Sequence, residues 1–169
     1  ERDEAREVVE NAEISQQSEV STVRLIGAEA KRQGRRHKVV VMVDMGDLRE
    51  GVFFQDRENI LALARAVMGE EMLELYGVGV NLTCFGGIIP DGENLGGLVG
   101  IAEWLRRETG LAIPFVSGGN SSTLPMLLAK KLPRGVNNLR VGEGYLLGNE
   151  TVEGTLMPGF YPDCFTLEA

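Results

Sequence analysis

Between Lys38 and Asp44 the chain runs Val39-Val40-Val41-Met42-Val43. No polar face is left in that run, and it is short and β-branched. It fits a strand covered on both sides, as strands of a parallel sheet between helices are.

The flanking segments obey the same constraint. Residues 1–10 are charged and read as the tail of a helix. Ala12-Glu13-Ile14 reads as a short strand, and Ser15 as the N-cap of a helix carrying Val20, Val23, Ile26 and Ala30 that ends at Gly34. Met45 to Gly51 is a polar turn. Ile60, Leu63, Ala64, Val67 and Met68 then fall at helical spacing before Gly69. Leu73 to Leu82 predicts a strand, and residues 94–109 a helix with Leu95, Leu98, Ala102 and Leu105 on one face. Gly96, Gly97 and Gly100 weaken that helix by roughly 1 kcal/mol each relative to Ala, so close packing against a neighbour is expected there. Trp104 reads as core or rim. Ile113 to Val116 is the next strand, residues 121–132 its helix, and Asn138 to Val141 the last strand. Strand and helix alternate throughout, which means an α/β fold with a parallel sheet. About five strands suit a small doubly wound domain, or an incomplete (β/α) barrel. In both, functional loops follow the C-terminal ends of the strands.

Those ends carry a short list of polar residues: Asp44, Asp47, Arg49 and Glu50; Asn81, Thr83 and Cys84; Ser117, Asn120, Ser121 and Ser122; Arg140, Gly142 and Glu143. Ser117-Gly118-Gly119-Asn120-Ser121-Ser122-Thr123 joins a strand to a helix. Such a turn is either a phosphate site or a loop ending in a serine N-cap. Arg140 lies among apolar neighbours. It either pairs with a carboxylate or faces a ligand, because a buried unpaired charge costs several kcal/mol. Arg49 reads equally as an exposed salt bridge with Glu50 or Asp47. Cys84 fits a small buried residue better than a nucleophile, having no histidine near it in sequence.

Composition narrows the classes. A chain of 169 residues, 43% apolar, suffices for one domain with a sizeable core. Net charge of −8 argues against a nucleic-acid partner. Cys84 and Cys164 give neither a disulfide framework nor a metal motif, and the single His37 excludes histidine-based zinc chemistry. No apolar run approaches membrane length and no signal peptide is visible, so a cytoplasmic protein without a membrane partner is expected. The chain starts at Glu1 without Met and stops within Phe165-Thr166-Leu167-Glu168-Ala169, the pattern of a fragment. From Thr151 the helical period is lost. Residues 1–150 are expected to be a partial barrel, and 151–169 a linker with the start of a C-terminal β domain.

Four segments together resemble the alanine racemase family of barrel-type pyridoxal-phosphate (PLP) enzymes, and most of all its ornithine racemase branch. They are residues 43–51, 79–87, 116–122 and 139–143, and they arrive in the family's order. The resemblance implies PLP as cofactor, an amino-acid substrate, racemisation at Cα and a homodimer. It implies that Ser121 binds the cofactor phosphate with Asn120 beside it, and that the backbone N–H groups of Gly142 and Glu143 complete the cradle. By the same likeness Arg140 faces the pyridine nitrogen, Arg49 lies near the phenolic oxygen, and Asn81, Thr83 and Cys84 line the ring. The family's modified lysine corresponds to Met42. Its Schiff-base lysine matches none of Lys31, Lys38, Lys130 and Lys131, and its tyrosine base matches none of Tyr76, Tyr145 and Tyr161. No catalytic base is therefore expected in this chain, and no metal site. An arginine opposite the pyridine nitrogen cannot give up its proton, which weakens the electron sink and favours return of the Cα proton over transamination. Two other readings remain: a barrel protein that carries PLP without turnover, and an unrelated α/β phosphate-binding module.

Overall fold

The computed structural model describes residues 2–84, 86–163 and 165. The elements run α1 (Arg2–Asn11), β1 (Ile14–Gln17), α2 (Val20–Gln33), β2 (His37–Asp44), β3 (Val52–Phe53), α3 (Arg57–Met68), β4 (Leu73–Gly79), α4 (Gly92–Thr109), β5 (Phe115–Ser117), a 3-10 turn (Ser121–Thr123), α5 (Leu124–Leu128) and α6 (Glu143–Leu146).

Strands β1, β2, β4 and β5 lie side by side in chain order, all parallel, and β3 pairs with the end of β2. A doubly wound sheet reverses its strand order partway across. This sheet never reverses, so the barrel type holds, and it does not close on itself within the chain. Met42 pairs with Gly79, Gly79 with Ser117, and Ser117 bridges to Asn138. That single transverse row aligns the C-terminal ends of the strands.

Alternation along β2 explains its unbroken apolar run. Val39, Val41 and Val43 join Ile26, Ile60, Leu63, Leu98 and Leu105 in the core. Val40 and Met42 are equally buried and flank Gly79, where an added Cβ would lie 3.0 Å from Met42 Sδ, 3.2 Å from Val40 and 3.4 Å from Arg140 Nη1. Gly79 thus leaves room for the Arg140 guanidinium. Each fully buried valine contributes roughly 1.5–3 kcal/mol.

Several expectations are corrected. Ser15 lies within β1, where its hydroxyl meets His37 Nε2 at 2.8 Å; the N-cap of α2 is Glu19, without a side-chain cap bond. β4 ends at Gly79 rather than Leu82. The helix expected over 121–132 is a 3-10 turn followed by five residues of α5. Pro125 suits its first turn, and Lys130 at φ 56° turns the chain away before Pro133. The expected strand over 138–141 is reduced to one bridge at Asn138. The Asn137 side chain competes for its ladder bonds there: Asn137 Oδ1 accepts from Val116 N–H at 2.9 Å, while the Asn138 side chain turns to the Ser117 hydroxyl at 2.6 Å. In α4, a Cβ at Gly97 would meet Met45, but Gly96 and Gly100 face open space, so close packing explains only the first. Trp104 is a rim residue under the Arg57 guanidinium. Beyond α6, the Glu150 carboxylate gathers the N–H groups of Val152, Glu153 and Thr155 and closes a small loop. Cys164 and residues 166–169 lie outside the described residues.

Candidate functional site

Polar side chains meet above the Met42–Gly79–Ser117–Asn138 row. Arg140 is largely buried and reaches back over it. Its Nη1 donates to Ser117 Oγ, and its Nη2 to Val80 O at 2.8 Å and Asn81 Oδ1 at 2.6 Å. Among the described residues no carboxylate lies within salt-bridge distance of Arg140. The expected alternative of a direct ion pair therefore fails. Burial pushes the guanidinium pKa down, and the charge of Glu50 opposes that shift. The charge persists, since arginine holds its proton in proteins.

Asn81 passes the connection on. Its Nδ2 donates to Glu50 Oε1, and Glu50 Oε2 pairs with Arg49 Nε at 3.0 Å. Arg49 Nη1 donates to Cys84 Sγ at 2.8 Å, and Asn120 Nδ2 approaches the same sulfur at 3.1 Å. Cys84 is an exposed free thiol rather than a buried filler. One hydrogen-bonded chain thus joins Arg140, Asn81, Glu50, Arg49, Cys84 and Asn120. The salt bridge expected between Arg49 and Glu50 is present as part of it.

Asp47 organises the loops beneath this chain. It is fully buried, and its carboxylate accepts the N–H groups of Cys84 and Ile88. Asp44 does the same for Gly46 and Leu48. Thr83 takes φ 55°, which a β-branched residue rarely adopts. Its hydroxyl turns to Ile88 O at 2.8 Å and takes no part in the chain of polar contacts.

A second cluster lies at the Gly118–Thr123 turn. Asn120, not a serine, caps it: Oδ1 accepts from Ser122 N–H at 3.0 Å. Ser121 is thereby left to face α6. Its buried Oγ accepts the N–H groups of Gly142 at 3.3 Å and Gly144 at 2.9 Å. Its own hydroxyl hydrogen stays available for an acceptor. The cradle expected from Gly142 and Glu143 is built on Ser121 with Gly142 and Gly144. The Glu143 side chain is exposed. A Cβ at Gly144 would come within 2.5 Å of the Leu124 Cδ1 methyl, so a larger residue there would push Leu124 aside. α5 is too short for its dipole to matter, and the free donor of this turn is the Ser121 hydroxyl, which the two amides orient.

The expected ring-lining and phosphate residues therefore form two adjacent clusters, with Thr83 apart from both. Ser117 and Glu50 stand on the strand-end list without an assigned role there, and Gly144, in the Gly142-Glu143-Gly144 turn, is absent from it. Lys38 stacks on Tyr76 at the far end of β2, and Lys31 pairs with Glu71 on the surface. A groove of about 490 Å³ lined by Arg36, Leu73 and Ile113 opens at that far end, away from the polar clusters. Among the described residues no group of side chains could hold a metal ion, and no helix is long and apolar enough to cross a membrane.

Comparison with known proteins gives the family. The model of the alanine racemase N-terminal domain matches residues 1–149. The chain belongs to that family. It is 44% identical to the ornithine racemase of Acetoanaerobium sticklandii over 98% of its own length, and 36% identical to the lysine racemase of Thermotoga maritima over 83%. It spans 46% and 38% of those two relatives, so it covers less than half of either. Among solved structures, the D-threo-3-hydroxyaspartate dehydratase of Delftia sp. shares 27% identity at a TM-score of 0.63, covering 77% of this chain and 35% of that one. PipY of Synechococcus elongatus, solved with PLP bound, shares 18% at a TM-score of 0.62, covering 84% of this chain and 64% of that one. That last likeness concerns the fold alone. The family's barrel is the architecture that the unreversed strand order requires.

Proposed function

We propose that the whole protein is a pyridoxal-phosphate-dependent amino-acid racemase that prefers ornithine-like substrates to alanine. The observation that carries this reading is 44% identity to an ornithine racemase along 98% of the chain. The two clusters fit the cofactor. A buried hydroxyl whose oxygen is held by two glycine amides and whose hydrogen is free suits a phosphate oxygen, and two arginines without a carboxylate on Arg140 suit an anionic ring system.

When bound, PLP supplies an electron sink that lets an amino acid lose and regain its Cα proton. The residues of this chain hold it. The Ser121 hydroxyl, oriented by the amides of Gly142 and Gly144, would donate to the phosphate with the Glu143 amide beside it, and Asn120 fixes their turn. Arg140 donates toward the pyridine nitrogen and keeps its own proton. Arg49 would lie near the phenolic oxygen, with Asn81 and Cys84 beside the ring, and Thr83 would hold their loop through Ile88. Residues 1–150 form this part of the barrel, and 151–169 lead toward a C-terminal domain. The lysine and tyrosine bases come from outside the chain, in a cytoplasmic homodimer.

The test is exchange of the Cα hydrogen in deuterated water, read by proton NMR, with the whole protein and PLP. Exchange and racemisation of ornithine or lysine faster than of alanine support the reading. Bound PLP without exchange of any amino acid would overturn it in favour of a non-catalytic carrier.

A further inference from the structure

Glu50 ties the two site arginines together. One carboxylate oxygen takes Arg49 Nε at 3.0 Å, and the other takes Asn81 Nδ2. Asn81 Oδ1 in turn takes Arg140 Nη2 at 2.6 Å. The nearby carboxylates of Asp44 and Asp47 are committed to backbone amides. Glu50 is more buried than Arg49, with 28% of its side chain exposed against 52%.

The polarity of this relay is fixed by what each group can do. Both arginines only donate. A carboxylate only accepts. The Asn81 amide does both, and Glu50 decides which way it faces. With Glu50 taking the amide hydrogens, Oδ1 must point at Arg140. We propose that Glu50 is a positioning residue for cofactor binding: it sets Arg49 directly, and it sets Arg140 through the orientation of the Asn81 amide. This rests on the reading that PLP binds between those arginines.

A glutamine at position 50 offers one acceptor and one donor. Either its NH2 group faces Arg49, or it faces Asn81. If Asn81 then flips, its own NH2 group meets Arg140. One donor–donor contact is unavoidable, wherever it falls. Moving the carboxylate to position 81 removes the conflict. An aspartate there accepts from Arg140 and from the amide of the new glutamine, whose own carbonyl oxygen accepts from Arg49. Every bond is restored with the polarity of the middle link reversed.

The experiment is an equilibrium titration of the whole apoprotein with PLP, followed by the absorbance of bound cofactor, alongside thermal melts. Glu50→Gln is expected to raise the PLP Kd about tenfold, the scale of one lost charge-assisted hydrogen bond. Asn81→Asp alone, which sets two carboxylates face to face, is expected to weaken binding at least as much. The double variant E50Q/N81D is expected to return to within about threefold of wild type. Wild-type affinity in Glu50→Gln overturns the inference, and so does a double variant that binds no better than Glu50→Gln. Should Glu50→Gln fail to fold, the double variant decides: folded and PLP-loaded supports the relay, and unfolded overturns it. A wild-type protein that takes up no PLP sinks the proposed function and this inference with it. Normal wild-type loading with an unaffected Glu50→Gln variant sinks the inference alone.

Discussion

Arg140 Nη2 lies 2.6 Å from Asn81 Oδ1, joining residues 59 positions apart. The bond crosses from the segment after β5 to the segment after β4, above the row where Gly79 and Ser117 pair. It holds the guanidinium over the strand ends without a carboxylate in direct contact.

Replacing Arg140 with Gln is therefore expected to act twice. The buried Val80 carbonyl loses its partner, which costs about 1–3 kcal/mol of stability and lowers the melting temperature. Under the proposed function, the whole protein is expected to show more transamination relative to racemisation, because the pyridine nitrogen would no longer face a fixed cation. Product analysis by chiral chromatography checks the ratio. A variant that melts lower with an unchanged ratio would reduce Arg140 to a structural role.

Ser121→Ala is expected to weaken PLP binding by one to two decades. One charge-assisted hydrogen bond to phosphate is worth roughly 1.5–3 kcal/mol, at ~1.4 kcal/mol per decade. The change also leaves the amides of Gly142 and Gly144 without their acceptor. Equilibrium titration of the whole apoprotein checks it. Unchanged affinity would mean that this turn is only a structural staple.

His37 makes a prediction about pH. It is buried, with Nε2 against Ser15 Oγ, and burial holds its pKa below the usual 6.5. The folded state therefore favours the neutral ring, and the unfolded chain binds a proton more readily. Its contribution to stability is complete above pH 6.5 and is lost as pH falls below that value toward the lowered folded pKa. Wild type should lose melting temperature between about pH 7 and pH 5 faster than His37→Gln does. Parallel slopes would remove His37 from the acid sensitivity.

The open sheet makes a prediction about the chain by itself. Leu127, Leu128 and Val141 are 47%, 50% and 37% exposed beside the incomplete last strand. Unpaired strand edges and exposed apolar surface promote association. The 169-residue chain made alone should pair or aggregate in analytical ultracentrifugation. A monomer with a cooperative melt would contradict the incomplete barrel.

Much of the fold was legible because its strands and helices carry opposite periods. The valine run of β2 and the spacing in α3 and α4 left little choice. Failures came where side chains compete with the backbone. The Asn137 side chain takes over a ladder bond that an apolar strand reading assigns to the main chain. Ser15 is spent on His37, a partner 22 residues away that no local cap rule can see. In the site, Arg49, Asn81, Cys84, Asn120 and Arg140 meet in one chain of polar contacts, while Thr83 and the Glu143 side chain stand outside it. Glu50 was passed over because a glutamate beside an arginine reads as a surface pair, and only the fold shows Asn81 on its other oxygen. Gly144 was hidden because its role lies in its amide.

Asp47 has a consequence for how such a site can diversify. Its carboxylate fastens the loop that bears Arg49 to the loop that bears Cys84. Neither loop can be reshaped independently while that buried carboxylate stays satisfied. A new substrate preference reached through one loop must carry compensating changes in the other, so sequence drift here is expected to move in linked pairs. Grafting either loop alone into a relative should fail where grafting both succeeds.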